Sequence, residues 1–335
     1  MAERYDAIIL GAGPAGLTAG IYLARARLRP LIIDTGTAGG QMVLTYSVAN
    51  YPGVETASGR EISQTMLRQA KAFGSDVITQ ATVTHIDLMG ETKVVEVEDE
   101  GRYEAPVAII AAGGRPRTLG LESEARFSGH GISYCATCDG DFFTDKPIVV
   151  VGGGNSALEE AVSLTKYASK VTVLHILDEF QAQPWAVEEA RRNPKVELYT
   201  GHEVVRFEGE DSLERVVARD VHTGAELVVP AEGTFIFIGY VPNTEAFVGQ
   251  VALNEHGEVI ADDQMATSLP GVYVAGDSRV KRYRQITTAV ADGTIAALAS
   301  TEYINARARD AYPRERRAVD HHTSESSLQP PASSP

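Results

Sequence analysis

The chain has 335 residues, 44% of them hydrophobic, enough to bury a large core and to form two domains. Thirty basic against 45 acidic side chains leave a net charge of -15, which argues against nucleic acid and anionic membrane surfaces as partners. No apolar stretch approaches membrane-spanning length, and the first, Ala7 to Leu10, reads as a buried strand and not as a signal peptide.

Residues Tyr5 to Asp34 predict strand, loop, helix and strand: an apolar run ending at Leu10, a loop over Gly11 to Gly16, a helix from Leu17 to Ala26 and a strand at Leu31 to Ile33. The Gly11-x-Gly13-x-x-Gly16 spacing allows a tight turn, close approach of backbone to a pyrophosphate, and close helix–strand packing. The helix start then offers free N–H groups to phosphate. Asp34, at the end of the next strand, is placed to accept hydrogen bonds from an adenine-side ribose. Together these predict a dinucleotide site. Alternating patterns at Val94 to Val97 and Ala105 to Ala111 predict an antiparallel layer beside it.

The only two cysteines, Cys135 and Cys138, form a lone C-x-x-C, so no disulfide framework accounts for them. Zinc needs four ligands; His130 stands alone and His321-His322 falls in a polar tail, so no metal site is predicted. Lying between two glycine-rich loops, the pair points to dithiol–disulfide chemistry driven by a flavin. Both thiols are expected one turn apart at a helix start, where the dipole lowers a thiol pKa. Asp139 is either the group that moves the proton each half-reaction requires or a first-turn acid stabilising the helix. Reduced, exchange-competent thiols predict a cytoplasmic location.

Pro147 to His175 repeats the first unit, with a strand at Ile148 to Val151, a loop at Gly152 to Gly154, a helix from Ser156 to Lys166 and a strand at Val171 to Leu174. The second loop, Gly152, Gly154, Asn155, Ser156 and Ala157, keeps the geometry of the first. The position equivalent to Asp34 is His175, where an NADH site would prefer an acid; Asp178 and Glu179 are offset from it. A 2′-phosphate needs charge-assisted donors, and no arginine follows before Arg191. Losing two or three such bonds, at roughly 1.5–3 kcal/mol each, weakens NADPH at least about a hundredfold. The loop therefore argues against NADPH and leaves either NADH or a packing remnant. Further on, Pro242-Asn243 marks a crossover, Gly271 to Ala275 a strand, and Ile286 to Ala306 a closing helix. The Ser- and Pro-rich tail from Pro313 is expected to be disordered.

In order and spacing, Gly11–Gly16, Gly39-Gly40-Gln41, Asn50-Tyr51-Pro52-Gly53, Ala112-Gly113, the segment 133–140, the segments 152–161 and 235–244, Gly276-Asp277 and Tyr283-Arg284-Gln285 closely resemble the bacterial low-molecular-weight thioredoxin reductases, up to about Tyr312. The resemblance implies an α/β fold of two Rossmann-like, three-layer ββα dinucleotide-binding domains, the second inserted into the first. Residues 1–115 and 245–312 would form the FAD domain, 116–244 the inserted domain with the dithiol, and 313–335 the tail. It implies a homodimer, a thioredoxin-like protein as substrate, and FAD held by Gly11, Gly13, Pro14, Ala15, Gly16, Asp34, Gly40, Gln41, Asn50, Val83, Ala112, Gly113, Gly276, Asp277, Arg284, Gln285 and Ile286. Cys138 would face the flavin, Cys135 would exchange with the substrate, and Asp139 would be the acid.

Family members that use NADPH carry H-R-R-x-x-x-R where this chain has His175, Ile176, Leu177 and Gln181. Some relatives lacking that run take electrons from reduced ferredoxin, and this chain looks similar to those. The run Arg279 to Arg284 is then either a docking site for an acidic electron carrier or a solvated loop. A rival reading runs the same centre backwards, as a small-molecule dithiol oxidase with oxygen as acceptor.

Overall fold

The computed structural model describes residues 2–45 and 48–311; the expected tail, 313–335, lies outside them. Two five-stranded parallel sheets organise the molecule. In the first, the order is Val272–Val274, Val107–Ile110, Ala7–Leu10, Pro30–Ile33, Asp76–Ile78. In the second it is Ile132–Ser133, Gly233–Ile236, Pro147–Val151, Lys170–Leu174, Val196–Tyr199.

The apolar runs are strands because both their faces are covered. Ile9, Ile32 and Ile109 face the helices Pro14–Arg25, Gly59–Phe73 and Ile286–Ala311. Their neighbours Ile8, Leu31 and Ala108 face an antiparallel layer through Val95 and Tyr103. The second unit repeats this: Ile148 and Val150 pack on the helix Asn155–Leu164, while Val149 and Val151 pack on the meander His202–Glu208, Arg215–Asp220, Glu226–Pro230. Both units are three-layered Rossmann-like folds.

Chain and sheet meet differently from expectation in one place. The run Ala105 to Ala111 is not one antiparallel strand: Gly101–Ala105 ends the antiparallel layer, and Val107–Ile110 enters the parallel sheet between Ala7–Leu10 and Val272–Val274. Pro106 between them lacks a ladder donor, and there the chain changes sheets. Helix bounds also move. The first begins at Pro14, whose fixed φ suits the first turn, and ends at Arg25. The second spans Asn155–Leu164, and the last runs on to Ala311.

Gly114–Pro116 leads out of the first unit and Tyr240–Pro242 leads back, the two pairing antiparallel as a narrow ribbon. Asn243 braces the ribbon, donating from Nδ2 to the Ala112 carbonyl and accepting from Arg115 Nη1. The expected boundaries at 115/116 and 244/245 fall in or just beyond it.

Candidate active site

The first glycine loop sits where the strand order reverses, between Ala7–Leu10 and Val107–Ile110, the usual place for a ligand in such a sheet. Gly11 has φ +117°, and a β-carbon there would lie 2.2 Å from the Ala111 carbonyl oxygen. One at Gly16 would lie 1.9 Å from the Gly11 oxygen, while Gly13 faces open space. Asp34 braces the loop: its Oδ2 accepts from the Ala12 N–H at 2.5 Å and its Oδ1 from the Gly36 N–H at 2.7 Å.

A cleft of about 2740 Å³ opens from this loop, well beyond the size that a drug-like ligand needs. Of the residues expected at FAD, Gly11, Gly13, Pro14, Ala15, Asp34, Gly40, Gln41, Asn50, Val83, Ala112, Gly113, Gly276, Asp277, Arg284, Gln285 and Ile286 all line it. Gly16 does not; it lies behind the loop, at the helix–strand contact. The Gly276 N–H donates to Asp292 Oδ2. Asp277 Oδ1 is buried without a hydrogen-bond partner, and burial pushes this carboxyl above the usual range. Lys281 Nζ stands 3.9 Å from that oxygen, beyond hydrogen-bond reach, and an acceptor so left beside a dinucleotide loop fits a polyhydroxylated cofactor such as FAD.

Cys135 and Cys138 line the same cleft, joined as a disulfide. The Gln285 side-chain amide lies 4.0 Å from Cys135 Sγ, bringing together residues 150 positions apart. The helix bearing the pair is one turn, Ala136–Asp139, followed by a tighter turn over Gly140–Phe143. The expected dipole effect on the thiols is correspondingly small, since only aligned peptides over several turns build it. Asp139 accepts from Ser133 Oγ at 2.6 Å. Burial raises its pKa, the Ser133 hydrogen bond opposes that rise, and Asp141 adds to it.

The second loop keeps its backbone shape. Gly152 has φ +141° with the Phe237 oxygen 2.3 Å from a would-be β-carbon, and Gly154 faces open space. Asn155 Oδ1 accepts from the Gln183 N–H. Gly152, Gly154, Asn155, Ser156 and Ala157 do not line the dithiol cleft. His175 is packed, 7% exposed, stacked on Phe180 and pressed over Gly153, and burial lowers its pKa. Its Nε2 is buried with no hydrogen-bond partner, so the ring is held by packing and is not open at the surface where a ribose would lie. Asp178 is engaged too, with His222 Nε2 at 2.6 Å. Ile176 and Leu177 are about half exposed, apolar where a phosphate would need cations.

The basic run is mostly spent internally. Arg279 and Lys281 pair with Asp292, and Arg284 pairs with Glu258 while its guanidinium covers the Tyr240 ring at 4.3 Å. Only Arg282 of the four cations is exposed, so this segment braces the Gly276-Asp277 turn and does not present a solvated basic patch. Reading the sequence missed Ser133, Tyr240 and Asp292. Ser133 carried one usable signal, a hydroxyl two residues before a thiol.

Residues 5–293 match the family model described as pyridine nucleotide-disulphide oxidoreductase. The chain belongs to that family. Within it, a thioredoxin reductase of Peptoclostridium acidaminophilum is 42% identical over 313 residues, covering 91% of this chain and 99% of that protein. A 34.2 kDa protein in the rubredoxin operon of Clostridium pasteurianum is 39% identical over 305 residues, covering 91% and 99%. The crystal structure of thioredoxin reductase from Streptococcus pyogenes superposes with a TM-score of 0.87 at 40% identity, covering 91% of this chain and all of that one. The chain is thus a low-molecular-weight thioredoxin reductase relative and an FAD-dependent disulfide oxidoreductase.

Proposed function

We propose that this protein reduces the disulfide of a thioredoxin-like protein, working as a homodimer, with electrons from a donor other than NADPH. The observation that carries the reading is the shared cleft: the disulfide and the dinucleotide loop line one space, with Gln285 against Cys135.

Bound FAD supplies a two-electron store that can reduce the disulfide. The Gly11–Gly16 loop and the Pro14–Arg25 helix start would hold its phosphates, and Asp277 would accept from its hydroxyls. Cys138 takes the flavin side and Cys135 attacks the partner disulfide, forming a mixed disulfide that Cys138 resolves. For a protein substrate, Cys135 must first leave Gln285. Asp139, held protonated to a higher pH by burial, relays a proton.

Against NADPH stand the apolar Ile176 and Leu177 and the packed His175. Reduced ferredoxin and NADH stand as the alternative donors. An iron–sulfur donor would need a surface other than the 279–284 run, where Arg279, Lys281 and Arg284 are engaged internally. An anaerobic titration tests the donor, adding NADPH, NADH and reduced ferredoxin in turn while following flavin absorbance. Slow, partial bleaching by NADPH is expected; rapid stoichiometric bleaching at micromolar NADPH would overturn that part. Because both sulfurs are half-buried within the cleft, a second reading is oxidation of a small dithiol by oxygen. Oxygen uptake with a dithiol and no thioredoxin would select it.

A further inference from the structure

We propose that Ser133 is a positioning residue of the dithiol, its buried hydroxyl holding the Asp139 carboxyl and the Cys135 backbone in one arrangement throughout the exchange. The inference rests on the reading of Asp139 as proton carrier.

Ser133 ends the short edge strand Ile132–Ser133, parallel to Gly233–Ile236 and opposite Phe235, so its position is set by the sheet. It is 5% exposed and cannot rely on water. Instead its Oγ donates to Asp139 Oδ2 at 2.6 Å and accepts from the Cys135 N–H at 3.1 Å. The Cys135 carbonyl, at 3.4 Å, is the weaker candidate for the one hydroxyl proton. One atom therefore ties the strand to the first cysteine and to the residue that follows the second. No side chain caps the one-turn helix between them, which leaves Ser133 as a brace from outside it.

A hydroxyl suits this place because it can serve both protonation states. It donates to the carboxylate, and when Asp139 is protonated it can turn and accept while keeping the Cys135 N–H. In the exchange, Cys135 sulfur bonds to one substrate sulfur and the other leaves as a thiol. Cys138 sulfur then bonds to Cys135 and releases the second. Two electrons and two protons pass from the enzyme dithiol to the substrate; Asp139 carries the proton of Cys138, and the other exchanges with water. Asp141, two residues on, is the charged side chain felt at Asp139. Glu160, on the neighbouring helix Asn155–Leu164, is pushed up by its own burial and by Glu159, with Lys166 opposing, and Asp139 is not among the groups that act on it.

The test uses the full-length flavoprotein, reduced anaerobically with dithionite, so that the physiological donor does not enter. It is mixed with oxidised thioredoxin, and return of oxidised-flavin absorbance is followed against pH. In the wild type, the rate should fall as pH rises through the titration of Asp139. Asp139→Asn should abolish that limb. Ser133→Ala should slow the reaction about tenfold and move the limb about one unit to higher pH, as expected on losing one hydrogen bond to a charged group. Ser133→Thr should restore the limb's position. A Ser133→Ala protein with unmoved limb, whether slowed or not, overturns the inference while leaving Asp139 in its role. A limb that survives in Asp139→Asn overturns the proton-carrier reading itself, and the inference with it. Should Ser133→Ala come without flavin, Ser133→Cys keeps the volume with a weaker donor and is judged by the same shift.

Discussion

The two glycine loops are near copies in backbone and opposites in surroundings. Both begin with a left-handed glycine that a neighbouring carbonyl leaves no room to replace, Ala111 beside Gly11 and Phe237 beside Gly152. The first opens into a large cleft and is followed by an aspartate whose carboxylate braces the loop from its rim. The second faces away from that cleft and is followed by a histidine packed on Phe180 and over Gly153. A glycine fingerprint therefore encodes a shape, and the residues around it decide what the shape holds.

The largest break in the comparison is chemical and belongs to the second unit. Cys135→Ser or Cys138→Ser should reduce thioredoxin reduction by about a thousandfold or more, as removal of a covalent nucleophile does. The purified variants should keep their yellow colour, since no sulfur holds the flavin-binding loop. Next, Gly11→Ala and Gly152→Ala impose the same kind of backbone strain, about 1–3 kcal/mol each. Only the first should be isolated with little flavin, read from the ratio of flavin to protein absorbance. Equal flavin loss in both would erase the distinction between the loops. The smallest effect sharpens the donor: Ile176→Arg with Leu177→Arg and Gln181→Arg, all at exposed positions, should tighten NADPH about tenfold or more. The readout is the NADPH concentration at half-maximal flavin bleaching; no change would mean that packing of the His175 region closes the site regardless of charge.

Much of the fold was legible because its signals are local. An apolar run, a glycine loop and an amphipathic helix recur twice, and both copies fold into parallel sheets as the pattern predicts. Ala105 to Ala111 misled because alternation reports burial and not sheet membership, and Pro106 was the residue that marked the change. The positions that resemblance assigned to FAD fall almost entirely around one cleft, while the basic run at 279–284 could not be read correctly. Its partners, Asp292 and Glu258, lie outside that run, and charge counted along a chain says nothing about pairing across space. Ser133 escaped notice for a related reason: its importance comes from Asp139 folding back to it, a contact six residues long that no motif announces.

The placement of both sulfurs inside the cleft amounts to a size filter. A small dithiol reaches the half-buried pair by diffusion alone, whereas a disulfide on the face of a folded protein has to bring its whole surface to the mouth of the cleft. If the two units part to admit such a protein, the ribbon of Gly114–Pro116 and Tyr240–Pro242 is the connection that would hold them together. Locking the lobes together should then silence turnover with macromolecular acceptors and spare the small ones.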